Sequence, residues 1–179
     1  LELVSYAKKV ASSMGTTVTA VTINNKDNSV LASYGVDKVV TVSNDKLNNF
    51  SAKAYADVLV QIAKKEGAQI ILVSSSTDSL YLAPLVAVAL EAGYASNVIA
   101  LPESITPFQV KRTAFSNKAF NLTVINTPIK VLGIAKNSFG LVENTSAMTE
   151  ESFAPSLNEA DFSLKVQSVE KVSGKVTIA

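Results

Sequence analysis

Hydroxyl side chains crowd into one short stretch, Ser74-Ser75-Ser76-Thr77, with Asp78 directly behind them. The stretch follows an apolar run and precedes a helical pattern. It therefore falls at the carboxyl end of a strand, where open α/β sheets bind ligands. Free N–H groups at a helix start attract anions, so these hydroxyls could hold a phosphate or a ribose. The competing reading is that they cap the helix and satisfy its orphan donors. Neither a G-x-G-x-x-G pattern nor a P-loop pattern is present, and Asp78 would repel a phosphate.

Other charged groups offer less. Glu150-Glu151 and Glu159 with Asp161 are the nearest carboxylate groupings. They lie in a polar segment, where water keeps carboxylates ionised and ordinary. Lys64-Lys65 complements the dipole at a helix end. Arg112 is the only arginine, in Val110-Lys111-Arg112-Thr113, where strand alternation sends Val110 and Arg112 to one face. It reads either as an anchor or interface contact, or as a solvent-facing side chain. The chain has no histidine and no cysteine. Ser–His–Asp triads, Cys–His dyads, disulfides and histidine-based metal sites are thereby excluded from these residues.

The elements that must position these groups begin with a helix, because Leu3, Ala7, Val10, Ala11 and Met14 recur at helical spacing and Gly15 supplies a left-handed stop. Val18–Ile23 and Val39–Val42 read as strands around a short helical stretch at Ser29–Tyr34. Ser51 caps a helix from about Ala52 to Lys65 with Tyr55, Ala56, Leu59 and Ala63 inward. Ile70–Val73 is a continuous apolar run, the pattern of a strand covered on both faces. A helix over about Ser79–Glu91 follows, its Leu82–Leu90 run reading as buried. Gly93 reads as its stop and Val98–Leu101 as the next strand. Alternating helix and strand imply a parallel sheet with right-handed crossovers and helices on both faces. A fold of this kind opens on a strand, so a first strand is expected ahead of Leu1. From Pro107 onward, Phe108–Phe115, Ala119–Asn126 and Lys130–Lys136 read as three consecutive strands, an antiparallel meander added to the sheet, with Asn117 in a turn. Phe139–Ala160 reads as a loop, Phe162–Val169 as an edge strand, and 171–179 as the start of a linker.

The chain has 179 residues, enough for one domain, here 1–170. Its apolar share is 47% but its charged share only 17%, against about 25% in an ordinary soluble domain. That tilts the expectation toward a face covered by a partner. A net charge of +1 with a lone arginine argues against nucleic acid. No apolar run approaches the roughly 20 residues that span a bilayer. Absence of cysteine makes a cytoplasmic setting the expectation.

The order of short motifs adds a resemblance. Lys111-Arg112-Thr113-Ala114-Phe115-Ser116-Asn117-Lys118-Ala119 resembles the R-x-x-Y-x-G-N-A stretch of electron-transfer flavoprotein α subunits. Two strands and then Lys136-Asn137-Ser138-Phe139 follow, as in that family. Ser74-Ser75-Ser76-Thr77, Leu82-Ala83-Pro84 with Ala87, and Ala95-Ser96-Asn97-Val98 resemble further family segments. Ser116 replaces the usual Gly, Asn97 replaces Asp, and Leu80 and Leu85 stand where the family tends to have Gly and Arg. The resemblance covers essentially the whole chain. It implies a three-layer α/β/α Rossmann-like domain of the adenine-nucleotide α-hydrolase-like kind. It also implies an α/β heterodimer that carries electrons from dehydrogenases to a quinone reductase or another acceptor. FAD would be held chiefly by a C-terminal domain of the α subunit, so no FAD ligand is assigned to any residue here. The similar fold in the β subunit holds AMP, and no AMP motif is seen. On this reading Arg112 and Asn117 are interface or structural residues. In the alternative, a free-standing AMP- or ATP-binding domain, the nucleotide loop is Ser74, Ser75, Ser76 and Thr77.

Overall fold

The computed structural model describes residues 1–164, 168 and 170. Among the described residues three α-helices, α1 (Glu2–Met14), α2 (Ala52–Glu66) and α3 (Thr77–Ala89), flank nine strands. The strands are β1 (Thr19–Ile23), β2 (Lys38–Val42), β3 (Ile70–Ser74), β4 (Gly93–Val98), β5 (Ser104–Ile105), β6 (Phe108–Ala114), β7 (Ala119–Ile125), β8 (Lys130–Ile134) and β9 (Thr149–Ser152). One sheet has the order β1-β2-β9, all parallel. The other has the order β3-β8-β4-β6-β5, with β7 also paired to β6. Within it β3, β8 and β4 are parallel, and β5, β6 and β7 antiparallel.

Strand alternation builds the layers. Val39 of β2 packs with Ala7 and Ala11 of α1, whereas Val40 and Val42 pack with Ala54, Val58 and Ile62 of α2. On β8, Leu132 and Ile134 join Tyr6 and Val10 of α1, while Val131 joins Ala56 and Val60 of α2 and Ala83 and Val86 of α3. So α1 covers one face and α2 with α3 the other. This is the three-layer α/β Rossmann-like domain expected.

Four details differ from the sequence reading. A meander is indeed added, but its members are β5, β6 and β7; β8 leaves it and inserts parallel between β3 and β4. Strand β4 starts at Gly93 and ends at Val98, because Glu91 with φ 51° takes the left-handed position after α3 and Gly93 is already strand. A Cβ at Gly93 would lie 2.4 Å from Ile125 Cγ2, so close packing is what requires this glycine. Within Phe139–Ala160, Thr149–Ser152 forms β9 by pairing with β2, a partner no local pattern announces. Phe162 closes a short 3₁₀ helix, Glu159–Phe162, rather than opening an edge strand. Most of that expected strand, and the 171–179 linker, lie outside the described residues.

Long-range polar contacts tie the ends down. The Glu2 carboxylate accepts N–H groups from Asn137, Phe139 and Gly140 at 2.7–3.1 Å, just beyond β8. Those bonds, Phe139 first and then Gly140, hold its carboxyl below the usual range. The segment that carries β9 straps the outer side of α2. Gln61 exchanges two hydrogen bonds with the Ser156 backbone at 2.8 and 2.9 Å. Lys53 reaches the buried Asp161 carboxylate at 2.6 Å, and Lys38 and Lys65 both meet Glu151.

Candidate functional site

The carboxyl ends of β3, β8 and β4 converge, and the hydroxyl stretch sits at that edge. Ser74 ends β3, and the Ser75 N–H donates to Ile134 O at 2.8 Å, which prolongs the pairing with β8. The Ser76 hydroxyl accepts the Ser79 N–H at 3.3 Å and meets the Ser79 hydroxyl at 3.0 Å. It is the N-cap of α3, satisfying one of the donors a helix start leaves free. Thr77 and Asp78 are exposed in the first turn. Asp78 in this first turn complements the positive end of the helix dipole.

Arg112 stands on β6 opposite Val98 of β4. Its Nη1 donates to both the carbonyl and the hydroxyl of Ser96 at 3.2 Å. Close by, burial pushes the Tyr94 hydroxyl pKa up, while a hydrogen bond with Ser96 and the Arg112 charge oppose the rise. Gly133 of β8 lets these groups approach. A Cβ there would lie 3.3 Å from Ser75 Oγ, 3.5 Å from Ser96 Cα and 3.6 Å from the Tyr94 hydroxyl. Ser75, Tyr94, Ser96 and Arg112 thus share one edge. Beside them lies an open recess of about 350 Å³ between Ser96-Asn97 and the turn of the β6–β7 hairpin. Asn117 is exposed in that turn, where Phe115, Ser116 and Asn117 all have positive φ, 49° to 63°.

The chemistry available at this edge is hydrogen-bond donation. A tyrosine that stays protonated, a guanidinium and serine hydroxyls can hold an acceptor, but they include no general base poised near neutrality. Among the described residues no group of three or more acidic side chains could hold a metal ion. No helix there is long and apolar enough to cross a membrane.

The surface is less ordinary than the edge. Leu80, Tyr81, Leu85 and Val88 of α3 are exposed, Val88 at 80%, while Leu82, Ala83, Val86 and Ala87 are buried. The helix expected to be buried therefore buries only one side, and its outer side is also apolar. On β7 the alternate residues Phe120, Leu122 and Val124 are exposed, and Phe115 at the hairpin turn is 77% exposed. Contiguous exposed apolar residues on a folded domain mark surfaces that another component covers.

A family model for the electron transfer flavoprotein domain matches residues 1–160. The chain belongs to that family. Electron transfer flavoprotein α subunits of three bacteria are similar to it. The Clostridium acetobutylicum protein is 28% identical over 56% of this chain and 31% of its own length. The Bacillus subtilis protein is 23% identical over 79% of this chain and 43% of its own. The Thermoanaerobacterium thermosaccharolyticum protein is 30% identical over 56% of this chain and 32% of its own. The chain thus spans less than half the length of these relatives, and it is an electron transfer flavoprotein domain of the N-terminal α-subunit type.

Against that family frame, the structure brings Arg112 to Ser96 and places Asn117 at the rim of the same recess. Ser75 lies across Gly133 from Ser96, and Ser76 and Thr77 lead into α3. The sequence reading gives Tyr94, Ser96 and Gly133 no part in a site; Gly93 reads as a helix stop, which hides the strand that carries Tyr94 and Ser96, and Gly133 is placed in a strand without its neighbours. The outer side of α3 is missed as well. The available signal was a helix with no polar stripe, which calls for cover on every side.

Proposed function

We propose that this domain is the non-catalytic scaffold and subunit-interface domain of an electron-transfer flavoprotein α subunit. In this reading it belongs to an FAD-containing heterodimer with a β subunit, which passes electrons from dehydrogenases to a quinone reductase or another acceptor. The observation that carries the interface role is the apolar outer side of α3, Leu80, Tyr81, Leu85 and Val88, which stays exposed in the isolated domain. Large apolar residues grouped on one helix face are the usual energetic centre of a subunit contact.

FAD is assigned to polypeptide outside this domain. What supports this is a poor fit at the sheet edge. The Ser76 hydroxyl is engaged in capping, Asp78 places negative charge in the first turn of α3, and no glycine in Ser74–Thr77 lets backbone approach a pyrophosphate. No electron-transfer step is therefore routed through these residues. The domain's own part is to hold its partners at fixed geometry.

Mixing the domain with an electron-transfer flavoprotein β subunit at micromolar concentration is expected to give a complex on size-exclusion chromatography. Absence of association would overturn the reading. Thermal melting with AMP, ATP or FAD checks the alternative. A nucleotide bound at the hydroxyl loop would add about 2.7 kcal/mol of stability at 100 times its dissociation constant. Such a response without a β subunit would move the assignment to a nucleotide-binding domain.

A further inference from the structure

Helix α3 carries a proline in its interior, Pro84, on the outer side among Leu80, Tyr81, Leu85 and Val88. Proline has no N–H, so the Leu80 carbonyl cannot receive the bond that the fourth residue along a helix normally donates. Leu80 and Pro84 are both exposed, which puts that acceptor on the outer side too. The same side is apolar between two carboxylates. Asp78 lies in the first turn and Glu91 just past the last, and both are exposed. Neither has an ion-pair partner among the described residues. No lysine or arginine occurs between Glu66 and Lys111, so this part of the chain supplies no cation to offset them.

We propose that the outer side of α3 seats an apolar helix of the β subunit, with a basic residue near each end and, between them, one hydrogen-bond donor for the Leu80 carbonyl. The proposal rests on the subunit-interface reading above and specifies the occupant. Main-chain chemistry selects a helix. Between its ends α3 offers one free acceptor on this side and no donor. A strand edge or a loop pressed against Leu80–Val88 would bury N–H and C=O groups without partners, whereas a helix arrives with its own already bonded. Tyr81, Leu85 and Val88 recur at four- and three-residue spacing, a ridge that fits the groove of a neighbouring helix. Docking strips water from the Leu80 carbonyl, and a buried acceptor left unpaired lowers affinity roughly fivefold or more. The single donor follows from that cost. The basic ends follow from Asp78 and Glu91, which stand about 20 Å apart at helical rise, a span of roughly four turns. Charges at such a rim act mainly on the rate of association.

The test titrates the β subunit into the native chain and four variants. Pro84→Ala restores the N–H, which engages Leu80 within α3 and leaves the partner's donor unmatched. Its affinity is expected to fall roughly fivefold or more while its Tm rises. The double substitution Asp78→Asn with Glu91→Gln is expected to slow association at low salt roughly threefold or more and to flatten its salt dependence. Tyr81→Ala and Leu85→Asp, expected to weaken binding through lost packing, separate the two levels. Where these two weaken binding but Pro84→Ala or the double variant associates as the native chain does, the occupant described here is overturned and the interface stands. Where Tyr81→Ala and Leu85→Asp both bind with native affinity, the interface reading fails and takes this proposal with it.

Discussion

Helices α2 and α3 pack side by side on one face of the sheet, yet the chain finishes their outer sides differently. Along α2 it lays its own strap, the segment that runs from β9 to the 3₁₀ helix, held by Gln61 to Ser156, Lys53 to Asp161 and the Lys38–Glu151–Lys65 cluster. Over α3 the described residues lay nothing, and Tyr81, Leu85 and Val88 face solvent. Both helices start with a serine N-cap and end in good packing, so local stability is not the distinction. The contrast is what the proposed interface rests on. Where cover is built in, the surface is finished; where a helix is apolar on both sides and only one is buried, the proposed reading has a partner subunit supply the cover.

The largest expected effect separates inner from outer positions. Val58 of α2 is fully buried, so Val58→Asp places an uncompensated charge in the core and should cost about 3–5 kcal/mol, enough to abolish a cooperative urea transition. Val88→Asp on α3 should shift the same transition by no more than about 0.5 kcal/mol. A large loss at Val88 would show that its exposure is misjudged. Next comes the β subunit. Tyr81→Ala should weaken its binding by about 2 kcal/mol, roughly thirtyfold in titration calorimetry, with the domain's melting unchanged. Intact affinity in both Tyr81→Ala and Leu85→Asp would place the interface elsewhere.

Smaller effects test what the two helices share. Ser51→Ala and Ser76→Ala should each cost about 1 kcal/mol by loss of an N-cap, measured by denaturant melting. A markedly larger loss at Ser51 would report its additional donation to the Asp161 carbonyl. The smallest effect is electrostatic. Hydrogen bonds from Lys38 and then Lys65 hold the Glu151 carboxyl down to about 2, below its ordinary value of 4.5. A depressed carboxylate stabilises the fold above its unfolded pKa, and that contribution disappears as pH falls through the folded one. The small Tm gap between the native chain and Glu151→Gln should therefore shrink between about pH 4.5 and 2, and shrink at high salt at any pH. A gap independent of both would mean the strap is held by other contacts.

The local signals were legible where the physics is local. Apolar spacing gave α1 and α2, and Gly15 and Gly67 do adopt left-handed φ of 65° and 62° at their ends. Ser76 as a cap was likewise readable from serine before a helical pattern. Partners in space were not. Lys130–Ile134 can pair in either direction, and its place straight after two antiparallel strands made a third meander strand the simplest reading. Its run Val131-Leu132-Gly133-Ile134 did carry the two-faced burial signal that Ile70–Val73 showed. Thr149–Ser152 is polar throughout and becomes a strand only because β2 and two lysines meet it. The site suffered in the same way. Tyr94 and Ser96 lie one and three residues beyond Gly93, which reads locally as a helix stop, and that hid the edge they share with Arg112.

The central position of β8 has a consequence for how the molecule is made. It follows β3 and β4 in the chain by more than thirty residues yet lies between them. A ribosome releases those two neighbours first, and they cannot close on each other in their final arrangement until the wedge arrives. Until then both present open, apolar edges of the kind that chaperones shield. Successful maturation thus hinges on the β8 segment reaching its slot before another molecule does.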